Sequence, residues 1–253
     1  MIKIMSKLWF SLYDRGTYKG DEPSFYDTRD IKFTKLIEDN YLVIKNELEA
    51  YLKHHQLNTY FNSTMVEQHG TWKTISLKWW GINFYENYKY FPKTISLINS
   101  LDGLVSASFN KLEPQGKIKP HCGDTNGIYR CHLGLEVPAK IPTCGFRVLD
   151  EWKSWEEGKL LVFVDAQNHE AINLSDKNRF IFVFDVVRPE FIGKKNYIAS
   201  TVISSLFIQK RAEAFKILYK SPLWLQKLVG QILVPFAFIA IRVRNMLFSL
   251  LRK

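Results

Sequence analysis

The segment from Pro120 to Leu135, PHCGDTNGIYRCHLGL, concentrates side chains that can bind a metal and an anion. His121 stands in a run of Gly, Asp and Asn, a composition that favours a turn. The chain then enters an apolar stretch that reads as a strand. Alternation puts Arg130 and His132 on one face with Ile128 and Gly134, and Tyr129, Cys131, Leu133 and Leu135 on the other. A guanidinium and an imidazole on one face of an apolar strand are costly to bury without partners. The pattern points to a pocket for an anion beside a metal.

A second segment has the same grammar. Leu160–Asp165 reads as a buried strand, and Ala166-Gln167-Asn168 leads into His169-Glu170-Ala171. Another strand follows over 179–187, with Arg179, Ile181, Val183 and Asp185 sharing a face. In both segments an arginine follows the histidine nine or ten residues later, Arg130 after His121 and Arg179 after His169. Either histidine alone reads as structural. The repeated arrangement is what raises metal ligation.

From about Gly70 to Phe191 the chain resembles the aspartyl/asparaginyl β-hydroxylase family of iron(II)- and 2-oxoglutarate-dependent oxygenases. The motifs that carry the resemblance are PHCGDTNGIYRCHLGLEVP, WKSWEEGKLLVFVDAQNHEAIN and DKNRFIFVFDVVRPEF, with GTWKTISLKWWG and FPKTISLI upstream. The resemblance covers about half the chain. It implies a double-stranded β-helix, a jelly-roll or cupin-like barrel. It also implies that His121 and His169 are the metal ligands, that Arg179 grips the distal carboxylate of 2-oxoglutarate, and that Arg130 and His132 meet its other end. Asn110 lies where the family often has a small hydroxyl residue touching the cosubstrate. The implied reaction couples oxidative decarboxylation of 2-oxoglutarate, with O2 and Fe(II), to hydroxylation of an unactivated carbon. His121, His169 and Arg179 would be its catalytic residues.

Non-haem iron oxygenases usually add a carboxylate to two histidines. The usual place is two residues after the first histidine, and here that residue is Gly123. The resemblance to the peptide-hydroxylating branch implies a two-histidine site with water in the third position. Asp124 could reach from a turn. Asp165, four residues before His169, reads as a partner orienting water or imidazole.

These residues need a scaffold. The chain has 253 residues, 46% hydrophobic and 15% aromatic, enough for one well-cored domain plus additions. Short apolar strands between turn signals at Asp102-Gly103, Pro114-Gln115-Gly116, Pro142–Gly145 and Glu156-Glu157-Gly158 favour a mainly β barrel or sandwich with flanking helices. Residues 1–69 form an N-terminal segment in which Ile31–Gln56 has helical spacing, expected to cover the barrel. The dioxygenase-like core is expected over 70–206. Trp72, Trp79 and Trp80 read first as barrel packing. The three cysteines, Cys122, Cys131 and Cys144, lack metal-type spacing and suit reduced thiols in a cytoplasm. Residues 1–10 lack the pattern of a secretory signal.

Residues 207–253 form a basic, apolar helical tail. Nine Lys or Arg against the single acid Glu213 give it +8 of the net +10. Leu223–Ile241 approaches the roughly 20 apolar residues of a span, but Gln226, Lys227, Gln231 and Pro235 interrupt it. The expectation is an in-plane or re-entrant membrane anchor attracted to anionic headgroups. The alternative is a helical pair packed on the domain or a dimer partner. Nucleic acid is not expected, because so dense an apolar run suits a phosphate surface poorly.

Two acceptors follow, with the peptide ahead of the lipid. Gly123 and the family name favour a peptidyl Asp or Asn side chain. The tail favours a membrane-lipid acyl chain, of the lipid A or ornithine-lipid kind that bacterial relatives modify. A non-catalytic barrel would have lost a histidine ligand or the cosubstrate arginine, and all are present.

Overall fold

Strand β11 (Arg179–Val187) shows how the sequence builds this molecule, because its alternation serves two interiors. Phe180, Phe182, Phe184 and Val186 enter a cluster with Cys131, Leu133 and Leu135 and with the helical residues Ile37, Ile44 and Leu48. Ile181 on its other face joins Leu112, Ile118, Phe146, Phe163 and Ala171 between two sheets. In this computed structural model residues 7–14, 16–210 and 220–251 are described.

The strands preceding β11 are β1 (Asn58–Thr59), β2 (Trp72–Trp79), β3 (Ile82–Asn83), β4 (Leu104–Leu112), β5 (Gly116–His121), β6 (Ile128–Glu136), β7 (Cys144–Val148), β8 (Glu151–Lys153), β9 (Leu160–Val164) and β10 (His169–Asn173). The larger sheet runs β1-β2-β4-β11-β6-β9, with β3 on β2, and the smaller runs β5-β10-β7-β8. Every named pairing is antiparallel. From β4 to β11 the chain passes back and forth between the sheets. This winding is the expected double-stranded β-helix, a jelly-roll barrel.

Two differences from expectation have local causes. His121 is the last residue of β5, not part of the turn, because it pairs with His169 at the start of β10. The helical region over 31–56 is two helices, Thr34–Asp39 and Tyr41–Leu52, parted at Asn40 (φ −104°, ψ 13°). Ile37, Ile44 and Leu48 point into the core while Leu42 is exposed, so the apolar spacing is not one continuous face. Glu47 of the second helix caps the helix Pro92–Asn99 by accepting from the Lys93 and Thr94 amides, each at 2.8 Å.

The C-terminal helix, Leu223–Leu250, continues through Pro235. The polar residues that break its apolar pattern near its start face the protein. Gln226 is 1% exposed, Lys227 reaches Asp14 (3.4 Å), and the Gln231 amide donates to the Tyr197 hydroxyl (3.2 Å). Near the other end, Asn245 donates to the Gly81 carbonyl (2.8 Å) and Arg244 to the Asn83 carbonyl (2.7 Å). Trp224, Leu228, Ile232, Phe236, Ile239 and Val243 lie along the outward face and are exposed. The helix is long and apolar enough to cross a membrane by length and composition, yet it lies along the domain, held at both ends. Residues Met1–Ser6 and the expected tail cations Arg211, Lys216, Arg252 and Lys253 lie outside the described residues.

Candidate active site

Pairing of β5 with β10 brings the two histidines together across 48 residues of sequence. Their ring centroids are 4.2 Å apart, tilted by 59°. Each ring is oriented by its own strand: His121 Nδ1–H donates to the Lys119 carbonyl (2.8 Å), and His169 Nδ1–H to the Gln167 carbonyl (2.7 Å). A carbonyl can only accept, so Nδ1 carries the proton and Nε2 keeps its lone pair. Burial holds both imidazoles neutral, pushing His121 down to about 4 and His169 well below its ordinary value. Two neutral, neighbouring Nε2 donors are a set that a first-row divalent ion would accept.

Arg147 braces this pair from outside. Its Nη2 donates to Asn168 Oδ1 (2.9 Å), its Nε to Glu170 and its Nη1 to the Leu149 carbonyl, so it grips both neighbours of His169.

Arg179, first in β11, is 1% exposed, and its Nε and Nη1 have no hydrogen-bond partner among the described residues. The guanidinium lies over Trp155, Cζ to ring centroid 4.5 Å. Burial lowers its pKa to about 10. An unsatisfied buried cation is expensive, and a planar carboxylate would supply the missing acceptors.

His132 sits beside it. Its ring lies 4.7 Å from Phe146 and 5.2 Å from Phe163, and Trp155 Nε1–H donates to its Nδ1 (3.4 Å). Indole is a donor only, so the His132 proton is on Nε2, available to an anionic ligand. Burial drives its pKa well down, with Arg130 and Arg179 adding to the effect. Phe163 also packs on His169 (5.1 Å), so one aromatic wall joins the anion end to the histidine pair.

Arg130 has a different setting. Its Nε and Nη2 form a fork on Asp185 (2.8 and 3.0 Å), and its Nη1 pairs with Asp165. Two carboxylates compensate this one cation. Asp165 also accepts from the Asp124 amide (3.0 Å), while its carbonyl accepts from the Gly123 amide (2.8 Å). Burial pushes the Asp165 carboxyl well above the ordinary carboxylate range, against the pull of Arg130. A Cβ on Gly123 would collide with that carboxyl group. The place where a side chain at 123 would begin is therefore filled by a carboxylate from the second segment. Among the described residues no three His, Cys, Asp or Glu side chains converge to hold one ion.

Asn110 is buried in β4, where its Oδ1 accepts from Trp72 Nε1 (3.0 Å) and its Nδ2 donates to Ser108 Oγ (2.9 Å). Trp72 in turn stacks on Tyr60, centroids 3.7 Å apart. Burial raises the Tyr60 pKa, with Arg130, Asp124, Asp165 and Asp185 all within electrostatic reach. Tyr60, Trp155 and Asp185 complete the site but carried no assignment from sequence. Only Asp185 left a signal, an acid on an apolar strand face that called for a partner.

Residues 38–189 match the family model described as aspartyl/asparaginyl beta-hydroxylase. The ornithine lipid ester-linked acyl 2-hydroxylase of Rhizobium tropici is 37% identical over 172 residues, covering 66% of this chain and 61% of that protein. The aspartyl/asparaginyl beta-hydroxylase of Homo sapiens is 29% identical over 164 residues, covering 63% of this chain and 21% of that protein. The chain thus spans about three fifths of the first relative and a fifth of the second. Among solved structures, a Pseudomonas putida prolyl-4-hydroxylase aligns at 15% identity and TM-score 0.41, over 59% of this chain and 87% of that one.

Proposed function

Since the chain belongs to the aspartyl/asparaginyl β-hydroxylase family, we propose that it is an iron(II)- and 2-oxoglutarate-dependent hydroxylase whose acceptor is a membrane-lipid acyl chain. The observation that carries the reaction is the combination of two neutral imidazoles, each with Nε2 free, and a buried arginine whose Nε and Nη1 lack acceptors.

His121 and His169 would hold the iron. Arg179 would take the distal carboxylate of 2-oxoglutarate through the donors that lack partners among the described residues, with the Trp155 ring beside the guanidinium helping to hold it in place. His132 Nε2–H would donate to the cosubstrate's other end, beside Arg130, whose guanidinium Asp165 and Asp185 fix in position. Asn110 would wall the cavity through Trp72. Iron held there would supply O2 activation, with one oxygen atom going into succinate as 2-oxoglutarate loses CO2 and the other into the hydroxylated acceptor. The aromatic wall of Phe146 and Phe163, packed on His132 and His169, would keep water from that side of the site.

The choice of acceptor turns on residue 123 and on the tail. Gly123 bears less on the acceptor once Asp165 is seen to fill its side-chain space. The outward apolar face of Leu223–Leu250, in a segment carrying +8, suits an in-plane position on an anionic bilayer. The identity to a lipid-modifying relative supports the same acceptor. Three unpaired thiols suit a reducing, cytoplasmic membrane face.

The test is incubation with Fe(II), 2-oxoglutarate, ascorbate and O2, with bacterial membrane-lipid vesicles and separately with Asp- and Asn-containing peptides. The expected product is a lipid one oxygen atom heavier in the acyl region. Oxygen incorporation into peptide alone would overturn the lipid acceptor, and no 2-oxoglutarate turnover with any acceptor would overturn the reaction.

A further inference from the structure

We infer that Trp79, Phe61 and Tyr60 form an aromatic strip along which an acyl chain passes from the bilayer to the site, an inference that rests on the lipid reading above. Phe61 is 67% exposed, a phenyl ring left open to solvent beside the site. It is one of a series of rings in contact. Phe61 and Trp79 have centroids 6.1 Å apart, and Tyr60 lies 4.6 Å from Phe61. Tyr60 stacks on Trp72, which bonds Asn110 between the sheets, and its hydroxyl lies in the field of Arg130, Asp124 and Asp165. One end of the series is therefore at the reactive cluster.

The other end is at the C-terminal helix. Trp79 closes β2 and pairs with Ile82 of β3 across a tight turn at Trp80-Gly81. That turn is the helix's own docking point: a Cβ on Gly81 would stand 3.6 Å from Ile241, and Asn245 and Arg244 bond its carbonyls. Trp79 also packs against the buried cluster that includes Trp80, Phe191 and, from the helix Lys195–Lys210, Ile198 and Val202. Aromatic rings thus run from the turn on which the C-terminal helix docks to the site.

The occupant we assign is the aliphatic chain of an anionic bilayer lipid. The strip is apolar, as a methylene chain requires. The tail's net +8 would draw the helix face onto anionic headgroups, which would bring the strip beside the turn that docks this helix close to the acyl chains.

The experiment uses the full chain with anionic vesicles containing a phospholipid that carries a photoactivatable diazirine at its acyl terminus. Labelled residues are mapped by peptide mass spectrometry, and oligomeric state is measured in parallel. Labels are expected on Phe61 and Trp79 as well as on Trp224 and Phe236. Phe61→Asp should lower the labelling of Trp79 by about tenfold, the scale of one apolar ring's contact, while sedimentation with vesicles stays unchanged. Labels confined to the helix, with none at Phe61 or Trp79, overturn the strip and leave the membrane reading standing. No sedimentation and no label anywhere overturn both. A dimer that protects Phe236 from label overturns the lipid as occupant of the helix face.

Discussion

The Asp165 carboxyl group occupies the space where a side chain on Gly123 would begin. Two segments of the chain are interlocked there, since the Gly123 and Asp124 amides donate to the Asp165 carbonyl and carboxylate. Gly123 is therefore not a missing ligand but a clearance for Asp165 and its ion pair with Arg130. Gly123→Ala should destabilise the fold by about 1–3 kcal/mol, the scale of an overpacked core, and should lower turnover. Thermal unfolding and succinate formation read the two effects. Wild-type values for both would contradict the clearance role.

Arg179 sets stability against binding. Its Nε and Nη1 have no hydrogen-bond partner among the described residues. Arg179→Met should raise stability without 2-oxoglutarate by about 1–3 kcal/mol, the penalty of unsatisfied buried donors. The same change should weaken 2-oxoglutarate binding roughly 10- to 100-fold. Calorimetry with 2-oxoglutarate and denaturant titration measure the pair. A variant that is less stable and binds normally would contradict both roles.

Asp185 holds Arg130 through a two-bond fork from the neighbouring strand. Removing Asp185 strips the fork from a largely buried guanidinium that keeps only its pair with Asp165, so Asp185→Ala should cost about 1.5–3 kcal/mol, the scale of hydrogen bonds to a charged group. Exposed pairs such as Lys35–Asp39 are worth about 0–1 kcal/mol. Denaturant unfolding of Asp185→Ala against Asp39→Ala compares the two, and equal losses would contradict the assignment.

The depressed His132 pKa has a signed consequence. In the unfolded chain histidine titrates near 6.5, whereas burial keeps folded His132 neutral well below that. As pH falls below 6.5 the unfolded chain takes up the proton and the folded state does not, so stability falls. The raised carboxyls of Asp165 and Asp124 act in the opposite sense. Comparison with His132→Phe isolates the imidazole. Relative to this variant, the wild type should lose stability between pH 7 and 5 with a slope approaching about 1.4 kcal/mol per pH unit. A constant difference would contradict a neutral, buried His132.

The barrel strands and the site's charged residues were legible because strand alternation leaves a cation, an imidazole or an acid visible on an apolar face. Strand β11 was read at its full extent, and β9 and β6 to within a residue. Partners across the sheet were not legible. Arg130 meets Asp185 through a register between residues 55 apart, and Gly123 yields to a side chain 42 positions on. Trp155 and Tyr60 carried no assignment because nothing local marks an aromatic residue as facing a site. The polar breaks in the tail were visible, but their direction, toward Asp14 and Tyr197, depends on a helix packing that sequence spacing does not encode.

The most direct test of the two-imidazole site is anaerobic titration of the protein with Fe(II) in the presence of 2-oxoglutarate, followed by visible absorption and calorimetry. One ion per chain is expected, with a charge-transfer band that disappears in His121→Ala and in His169→Ala while both variants remain folded. Iron binding and a band unchanged by either substitution would contradict a shared site for the two rings.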